Sequence, residues 1–364
     1  MAKSSYRPEQ LIATRPEGDV PMSRPKEVNE TSEALAANVL GAPVLSLSRS
    51  REPHVSQKEG IMMASRTTPL VALLVGLTIL LAACESRPSQ TQSAGPQKIV
   101  VVTTMTVLGD LIQQVGGEKV EVKSLVPPGG EVHTYQPTPE DIKSVAQARI
   151  VFYNGVHLED WLDGTIRSAG KPDLPIVLLA EGLPIIQEAG EEPNPHLWMD
   201  VANAKTYVER IRDGLSKVDS GNAGYYADRA RSYLGQLDEL DKWIQTEVES
   251  IPKPRWKLVT FHDAFPYFAK RYGFALVGVV VSSPGKEPSA REGAVLVRRI
   301  KRERVPAIFA EAQFSPKLMD VLAKDAGVRV ITALYDDTLS TGPEANTYIT
   351  MMKYDVTQVV NALK

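Results

Sequence analysis

The sequence predicts an α/β fold with two lobes, each with a mostly parallel sheet flanked by helices, joined by one long rigid helix. From residue 98 onward, short β-rich runs alternate with amphipathic helical runs, which is typical of parallel sheets covered on both faces. One long helical pattern interrupts this alternation, and the same order of elements then resumes. With 364 residues, 43% of them hydrophobic, the chain is large and apolar enough for two compact domains.

The first lobe is expected at residues 98–222. Apolar, β-branched runs predict its strands at residues 99–104, 120–126, 150–155 and 176–181. Helices are predicted at residues 108–115 and 139–148. The second helix has Thr138 as its N-cap and Pro139 in its first turn, both of which are typical of a helix start.

A linking helix is predicted at residues 223–250. Its apolar residues recur at steps of three and four, which places them on one helix face. These residues are Tyr226, Ala230, Tyr233, Leu237, Leu240, Ile244 and Val248. About 26 residues of such a helix would span roughly 39 Å, enough to cross a whole domain, so we expect little lobe movement on ligand binding.

The second lobe is expected at residues 251–364. Strands are predicted at residues 257–262, 275–281, 307–312 and 328–334, and helices at residues 264–272 and 344–363.

The segment before the lobes is typical of an export signal. Arg66 precedes an apolar run at residues 69–83, which is shorter than the approximately 20 residues of a membrane span. The run ends in Leu-Ala-Ala-Cys at residues 81–84, which resembles a bacterial lipobox with Cys84 as the lipidated residue. We therefore expect a lipoprotein signal peptide at residues 62–84, the alternative being an uncleaved anchor. Both place the remainder outside the cytoplasm.

The flanking segments are expected to lack a fold. Residues 1–61 are polar and without periodicity, so they are interpreted as a non-native or disordered extension with the true start at Met62 or Met63. Residues 85–97 are rich in Ser, Gln and Pro, as in a flexible tether.

Charge and cysteine content exclude several classes of protein. The net charge is −3, with both signs mixed, so nothing in the sequence suggests the basic face that a nucleic-acid-binding protein needs. Cys84 is the single cysteine, which excludes an internal disulfide framework and a multi-cysteine metal site.

Three histidines and one aspartate occupy loops that follow predicted strands, where functional residues of α/β sheets tend to lie. They are His133, His196, His262 and Asp337, two from each lobe. Three imidazoles and a carboxylate suit a borderline divalent cation such as Zn²⁺. Their spacing forms no local motif, so each histidine alone could equally be a surface or core imidazole.

At these loops the sequence resembles the cluster A-I substrate-binding lipoproteins of ABC importers, which take zinc or manganese. The resemblance covers residues 98–364. Its segments are GGEVHTYQPTPEDI (129–142), NGVHLEDWLD (154–163), NPHLWMDVANA (194–204), VTFHDAFPYFAKRYG (259–273), EPSAREGAVLVRRIKRERVPAIFAEAQFS (287–315) and LYDDTLS (334–340).

The resemblance implies that His133, His196, His262 and Asp337 ligate the metal. Asp337 rather than Asp336 fits the family pattern of aspartate, small polar residue and leucine. The resemblance also implies a monomer, periplasmic or at the cell surface, that delivers its cargo to an ABC permease with a cytoplasmic ATPase.

The identity of the metal rests on two opposing features. Members assigned to manganese often carry glutamate at the third position, where this chain has His262, so Zn²⁺ is favoured and Mn²⁺ is next. Zinc members often add a His-rich loop before the second ligand, but residues 182–195 contain acids and no histidine.

An alternative function is a zinc-dependent hydrolase that uses the same histidines with an open position for water. Glu311 and Asp263 are candidates for orienting imidazoles or, in that alternative, for a general base. His157 is interpreted as a structural or surface residue at a helix start.

Overall fold

The computed structural model describes residues 98–188 and 190–364. The extension predicted at residues 1–61, the signal at 62–84 with its lipobox Cys84, and the tether at 85–97 lie outside the described residues. No helix in these two described ranges is both long and apolar enough to cross a membrane.

The first sheet has four parallel strands in the order β2-β1-β3-β4. The strands are β1 (Ile99–Thr103), β2 (Val120–Ser124), β3 (Ile150–Tyr153) and β4 (Ile176–Leu178). Val101 of the central strand β1 pairs with Val122 on one side and Ile150 on the other. Because all four strands run the same way, their carboxyl ends lie at one edge of the sheet.

The second sheet repeats this plan with the order β6-β5-β7-β8, again all parallel. Its strands are β5 (Lys257–Thr260), β6 (Ala275–Val279), β7 (Ala307–Glu311) and β8 (Arg329–Leu334). The predicted fold class, two lobes each with a parallel sheet, is confirmed by these two sheets.

Nine α-helices flank and join the sheets in the described residues. They are α1 (Thr106–Gly116), α2 (Pro139–Gln147), α3 (Leu162–Ser168), α4 (Val201–Val218), α5 (Ala223–Glu249), α6 (Pro266–Tyr272), α7 (Ala290–Glu303), α8 (Lys317–Ala326) and α9 (Tyr348–Leu363). The linking helix α5 has 27 residues, and the seven apolar positions predicted for its inner face are its buried residues.

One continuous hydrophobic core reaches from lobe to lobe through α5. It includes Leu111 of α1, Leu237 of α5 and Phe268 of α6, all almost fully buried. A second apolar cluster, with Val259 and Ile300 among its members, lies within the second lobe. Because the lobes share a core, their relative position is set by close packing and not only by the chain connection.

Two of the sequence-based helix starts are wrong. Helix α9 begins at Tyr348 and not at residue 344, because Thr347 and Thr350 form a capping box there. His157 is not at a helix start, since Val156 (φ +56°) and His157 (φ +62°) adopt left-handed conformations in a turn. The buried carboxylate of Glu159 holds this turn by accepting hydrogen bonds from backbone N–H groups.

Several predicted strands also extend too far at their carboxyl ends. The strand predicted to end at residue 262, for example, ends at Thr260. The residues beyond it belong to a loop, which leaves His262 free of the sheet's hydrogen-bond ladder.

Candidate metal centre

The first lobe contributes two imidazoles to the edge where its strands end. His133 follows β2, and its backbone N–H donates a 2.8 Å hydrogen bond to Glu131 Oε1. His196 lies between β4 and α4, immediately before a short 3₁₀ turn at Leu197–Met199, and is buried.

The second lobe contributes His262, two residues after β5, and Asp337, three residues after β8. Both side chains are completely buried. The Thr260 hydroxyl donates to the backbone carbonyl of His262 and so fixes the turn that follows the strand.

The structure brings all four sequence-predicted site residues together between the lobes. His196 Nε2 lies 3.2 Å from Nε2 of both His133 and His262. The Asp337 carboxylate oxygens lie 3.4 Å from Nε2 of His133 and of His196, and 3.5 Å from Nε2 of His262. One ligand atom from each residue lies within 4.8 Å of the others, a grouping that could hold a metal ion.

These spacings match the geometry of a small four-coordinate ion. A tetrahedron with bonds of about 2.0–2.1 Å has edges of about 3.4 Å between its ligand atoms. Neither oxygen of Asp337 has a hydrogen-bond partner among the described residues, although both are buried. Unpaired buried carboxylate oxygens are costly, and a bound cation would satisfy them.

Charge within the cluster is divided between its members. Burial would raise the pKa of Asp337, but His196, His133 and His262 together hold it well below its usual value. Burial lowers the pKa of His196 well below its usual value, which keeps this imidazole neutral and its lone pair available. The cluster therefore presents an ionised carboxylate and a neutral nitrogen donor to the same point.

The opposite ring nitrogen of His262 faces two further buried carboxylates. His262 Nδ1 lies 3.4 Å from Asp336 Oδ2 and 3.7 Å from Glu311 Oε2. Burial alone would lower the pKa of His262, but Asp336, Asp337 and Glu311 raise it well above its usual value. Carboxylates behind a ligating imidazole orient the ring and raise its basicity.

Sequence reasoning assigned some of these neighbours and missed others. Glu311 faces an imidazole as predicted, whereas Asp263 bonds to Asn194 and to no imidazole. His157 is exposed and pairs with Asp160, as expected for a surface residue. The sequence predicted no role for Asp336 or Asn194. Asp336 directly precedes the predicted ligand Asp337, and Asn194 lies two residues before His196. This proximity in sequence is the only signal that could have found them.

A cavity of about 910 Å³ adjoins the cluster, and both His133 and His196 line it. Its lining carries acids such as Glu188 and Glu191, but also bases such as Lys286 and Arg291. Since the cavity has charges of both signs, selection of a cation must come from the cluster itself.

Known metal-binding proteins are similar to this chain in sequence. Residues 101–362 match the family described as zinc-uptake complex component A, periplasmic. The manganese-binding lipoprotein MntA of Halalkalibacterium halodurans is 32% identical over 80% of this chain and 97% of its own length. The manganese ABC transporter substrate-binding lipoprotein PsaA of Streptococcus pneumoniae is 29% identical over 81% of this chain and 97% of its own.

Solved structures show the same fold. The periplasmic zinc binding protein TroA of Treponema pallidum has a TM-score of 0.68 at 30% identity, covering 73% of this chain and 99% of that one. The Mn-bound periplasmic metal binding protein of Candidatus Liberibacter asiaticus has a TM-score of 0.67 at 27% identity, covering 73% and 100%.

Two parallel-sheet lobes around a shared nitrogen and oxygen cluster define an extracytoplasmic substrate-binding protein of the metal-importer class. The chain belongs to the family of zinc-uptake complex component A. The resemblance found in the sequence is thereby confirmed, and the hydrolase alternative is set aside because members of this class bind cargo for transporters and are not enzymes.

Proposed function

We propose that this protein binds one divalent transition metal ion through His133, His196, His262 and Asp337, and delivers it to an ABC permease and its ATPase. The observation that carries the proposal is the set of 3.2–3.5 Å separations among the four side chains, which equal the edges of a metal-sized tetrahedron.

We propose Zn²⁺ as the preferred cargo and Mn²⁺ as the second. Three imidazole nitrogens and one carboxylate form a donor set typical of zinc. Manganese remains the second candidate because two of the compared relatives are named for it. Both oxygens of Asp337 face imidazoles, so bidentate ligation would add the extra oxygen that manganese favours.

The attachment to the membrane is also a proposal. Lipidation of Cys84, with removal of the preceding residues 62–83, would hold the protein at the membrane by the tether at 85–97. The lobes would then occupy residues 98–222 and 251–364, with the linking helix at 223–250, and act as a monomer beside the permease.

Elemental analysis tests the proposal on the chain from residue 85 onward, which contains the whole described fold. We expect about one metal ion per chain, with Zn²⁺ displacing Mn²⁺ in competition. His196→Ala should bind far more weakly. His157→Ala, at an exposed imidazole that pairs with Asp160, should bind as the unsubstituted protein does. Full stoichiometry in the His196→Ala protein would refute the assignment of the site.

A further inference from the structure

Asn194 lies two residues before His196 and is 8% exposed. All of its polar groups are paired. Its backbone N–H donates to the Ile186 carbonyl, and its backbone carbonyl accepts from the Tyr267 hydroxyl. Its side chain contacts both His196 of the first lobe and Asp263 of the second lobe. A fully paired residue at this position is held in one conformation.

The surroundings determine which way the Asn194 amide points. Its Nδ2 lies 2.6 Å from the Asp263 carbonyl oxygen, which can only accept a hydrogen bond. Its Oδ1 lies 3.1 Å from the backbone N–H of His196, which can only donate. Both contacts demand the same orientation, with oxygen toward His196 and nitrogen toward Asp263.

This orientation determines the tautomer of His196. The same Oδ1 lies 3.0 Å from His196 Nδ1. Because that oxygen can only accept, Nδ1 must carry the proton. The lone pair of the neutral imidazole is then on Nε2, the atom 3.2 Å from Nε2 of His133 and of His262.

The other end of the Asn194 side chain connects the two lobes. Nδ2 also donates to Asp263 Oδ2 at 3.0 Å, and Asp263 directly follows His262 in the chain. The Tyr267 hydroxyl, which donates to the Asn194 carbonyl, accepts from the Ile186 N–H. Asn194 thus links the loop of His196 to the loop of His262.

We infer that Asn194 is a positioning residue for metal binding: it fixes the Nδ1-protonated tautomer of His196 and sets the distance between His196 and His262. The inference rests on the proposed function. Without the amide, the His196 Nδ1–H is left unpaired in a buried site, and the ring is free to turn its protonated nitrogen toward the ion.

The test measures Zn²⁺ affinity and the visible absorption of bound Co²⁺ for the chain from residue 85 onward. Asn194→Ala should weaken Zn²⁺ binding by about 10–100-fold and alter the Co²⁺ spectrum. Asn194→Asp keeps an oxygen that accepts from His196 Nδ1, so it should restore most of the Co²⁺ spectrum. It still loses the donor to Asp263, so affinity should recover only in part.

Asn203→Ala is the matched control, because Asn203 donates to the Leu197 carbonyl in the same segment without touching an imidazole. It should leave affinity and spectrum unchanged. Equal losses in Asn194→Ala and Asn203→Ala, following equal drops in the Tm of the metal-free proteins, would overturn the inference. So would wild-type affinity in Asn194→Ala. Absence of metal binding by the unsubstituted protein would instead overturn the proposed function.

Discussion

The two lobes contribute different kinds of side chain to the candidate metal centre. The first lobe supplies two imidazoles, of which the His133 side chain is 12% exposed. The second lobe supplies His262 and Asp337, both fully buried, and places Asp336 and Glu311 behind the His262 ring. The carboxylate that stays ionised beside the candidate ion, Asp337, therefore belongs to the second lobe, whereas burial raises the pKa of Asp336 well above its usual value and also raises that of Glu311.

The difference indicates that the two lobes have different roles in metal binding. The ionised carboxylate of Asp337, from the second lobe, provides most of the electrostatic attraction for a cation, since buried charges interact strongly. The first lobe provides two imidazole nitrogen donors, both of which line the cavity. If the lobes separate, we expect the ion to stay with the second lobe.

The largest expected effect comes from removing the charged ligand. Asp337→Asn keeps the shape of the side chain but removes its charge. It should weaken metal binding by roughly 100-fold or more, because a buried ion that loses its oppositely charged partner is destabilised by about 3–5 kcal/mol. His133→Ala should cost less, and Asp160→Asn, at an exposed carboxylate, should cost nothing. Competition titration against a zinc chelator measures all three. Equal losses at Asp337 and His133 would contradict the proposed difference between the lobes.

Acid should weaken binding through the second lobe. The raised pKa of His262 means that the metal-free site holds a proton that the ion must displace, so affinity falls as pH falls. Asp337 stays ionised throughout because its pKa is held well below its usual value. The metal affinity should decline as the pH is lowered from about 8 to about 6. Metal binding should also release protons, which can be measured in a weakly buffered solution. Affinity independent of pH would contradict this expectation.

A smaller effect is expected from the carboxylates behind His262. Asp336→Asn and Glu311→Gln should each weaken binding by about 10-fold, the lower end for groups that orient a ligating imidazole. The control is Asp355→Asn, because Asp355 is a buried carboxylate of the same lobe that accepts from the Tyr335 N–H and is not a member of the cluster or of the group behind His262. Isothermal calorimetry should separate the three. A loss in Asp355→Asn as large as in Asp336→Asn would indicate a general effect of removing a buried carboxyl group from this lobe.

The smallest effect on affinity is expected from the core that the lobes share. Leu237→Ala in α5 should lower the free energy of unfolding by about 2–5 kcal/mol, while metal affinity stays within about 2-fold, because Leu237 lies in the hydrophobic core and not in the cluster. Glu239→Ala, at an exposed position of the same helix, should change neither. Chemical denaturation of the metal-free proteins provides the measurement. A large loss of affinity in Leu237→Ala would show that the site depends on the linking helix.

The sequence was most informative where one pattern governs many residues. The alternation of strands and helices predicted both parallel sheets, and seven apolar positions predicted the inner face of α5. Placement after strands selected the four residues that come together, because parallel strands end at a common edge.

It was least informative where single hydrogen bonds decide the structure. The start of α9 depends on the capping box at Thr347, and the turn at His157 depends on the buried carboxylate of Glu159. Asp336 and Asp337 are neighbours of the same residue type, so only the three-dimensional turn distinguishes the one facing Nε2 of His262 from the one facing its Nδ1. The role of Asn194 depends on Asp263, 69 residues away in the chain.

X-ray absorption at the zinc edge of the loaded protein tests the central claim most directly, namely that side chains from both lobes bind one common ion. We expect a first shell of nitrogen and oxygen at about 2.0–2.1 Å, with the outer-shell scattering of three imidazole rings. A shell of oxygens alone, or the scattering of only one imidazole, would contradict the account.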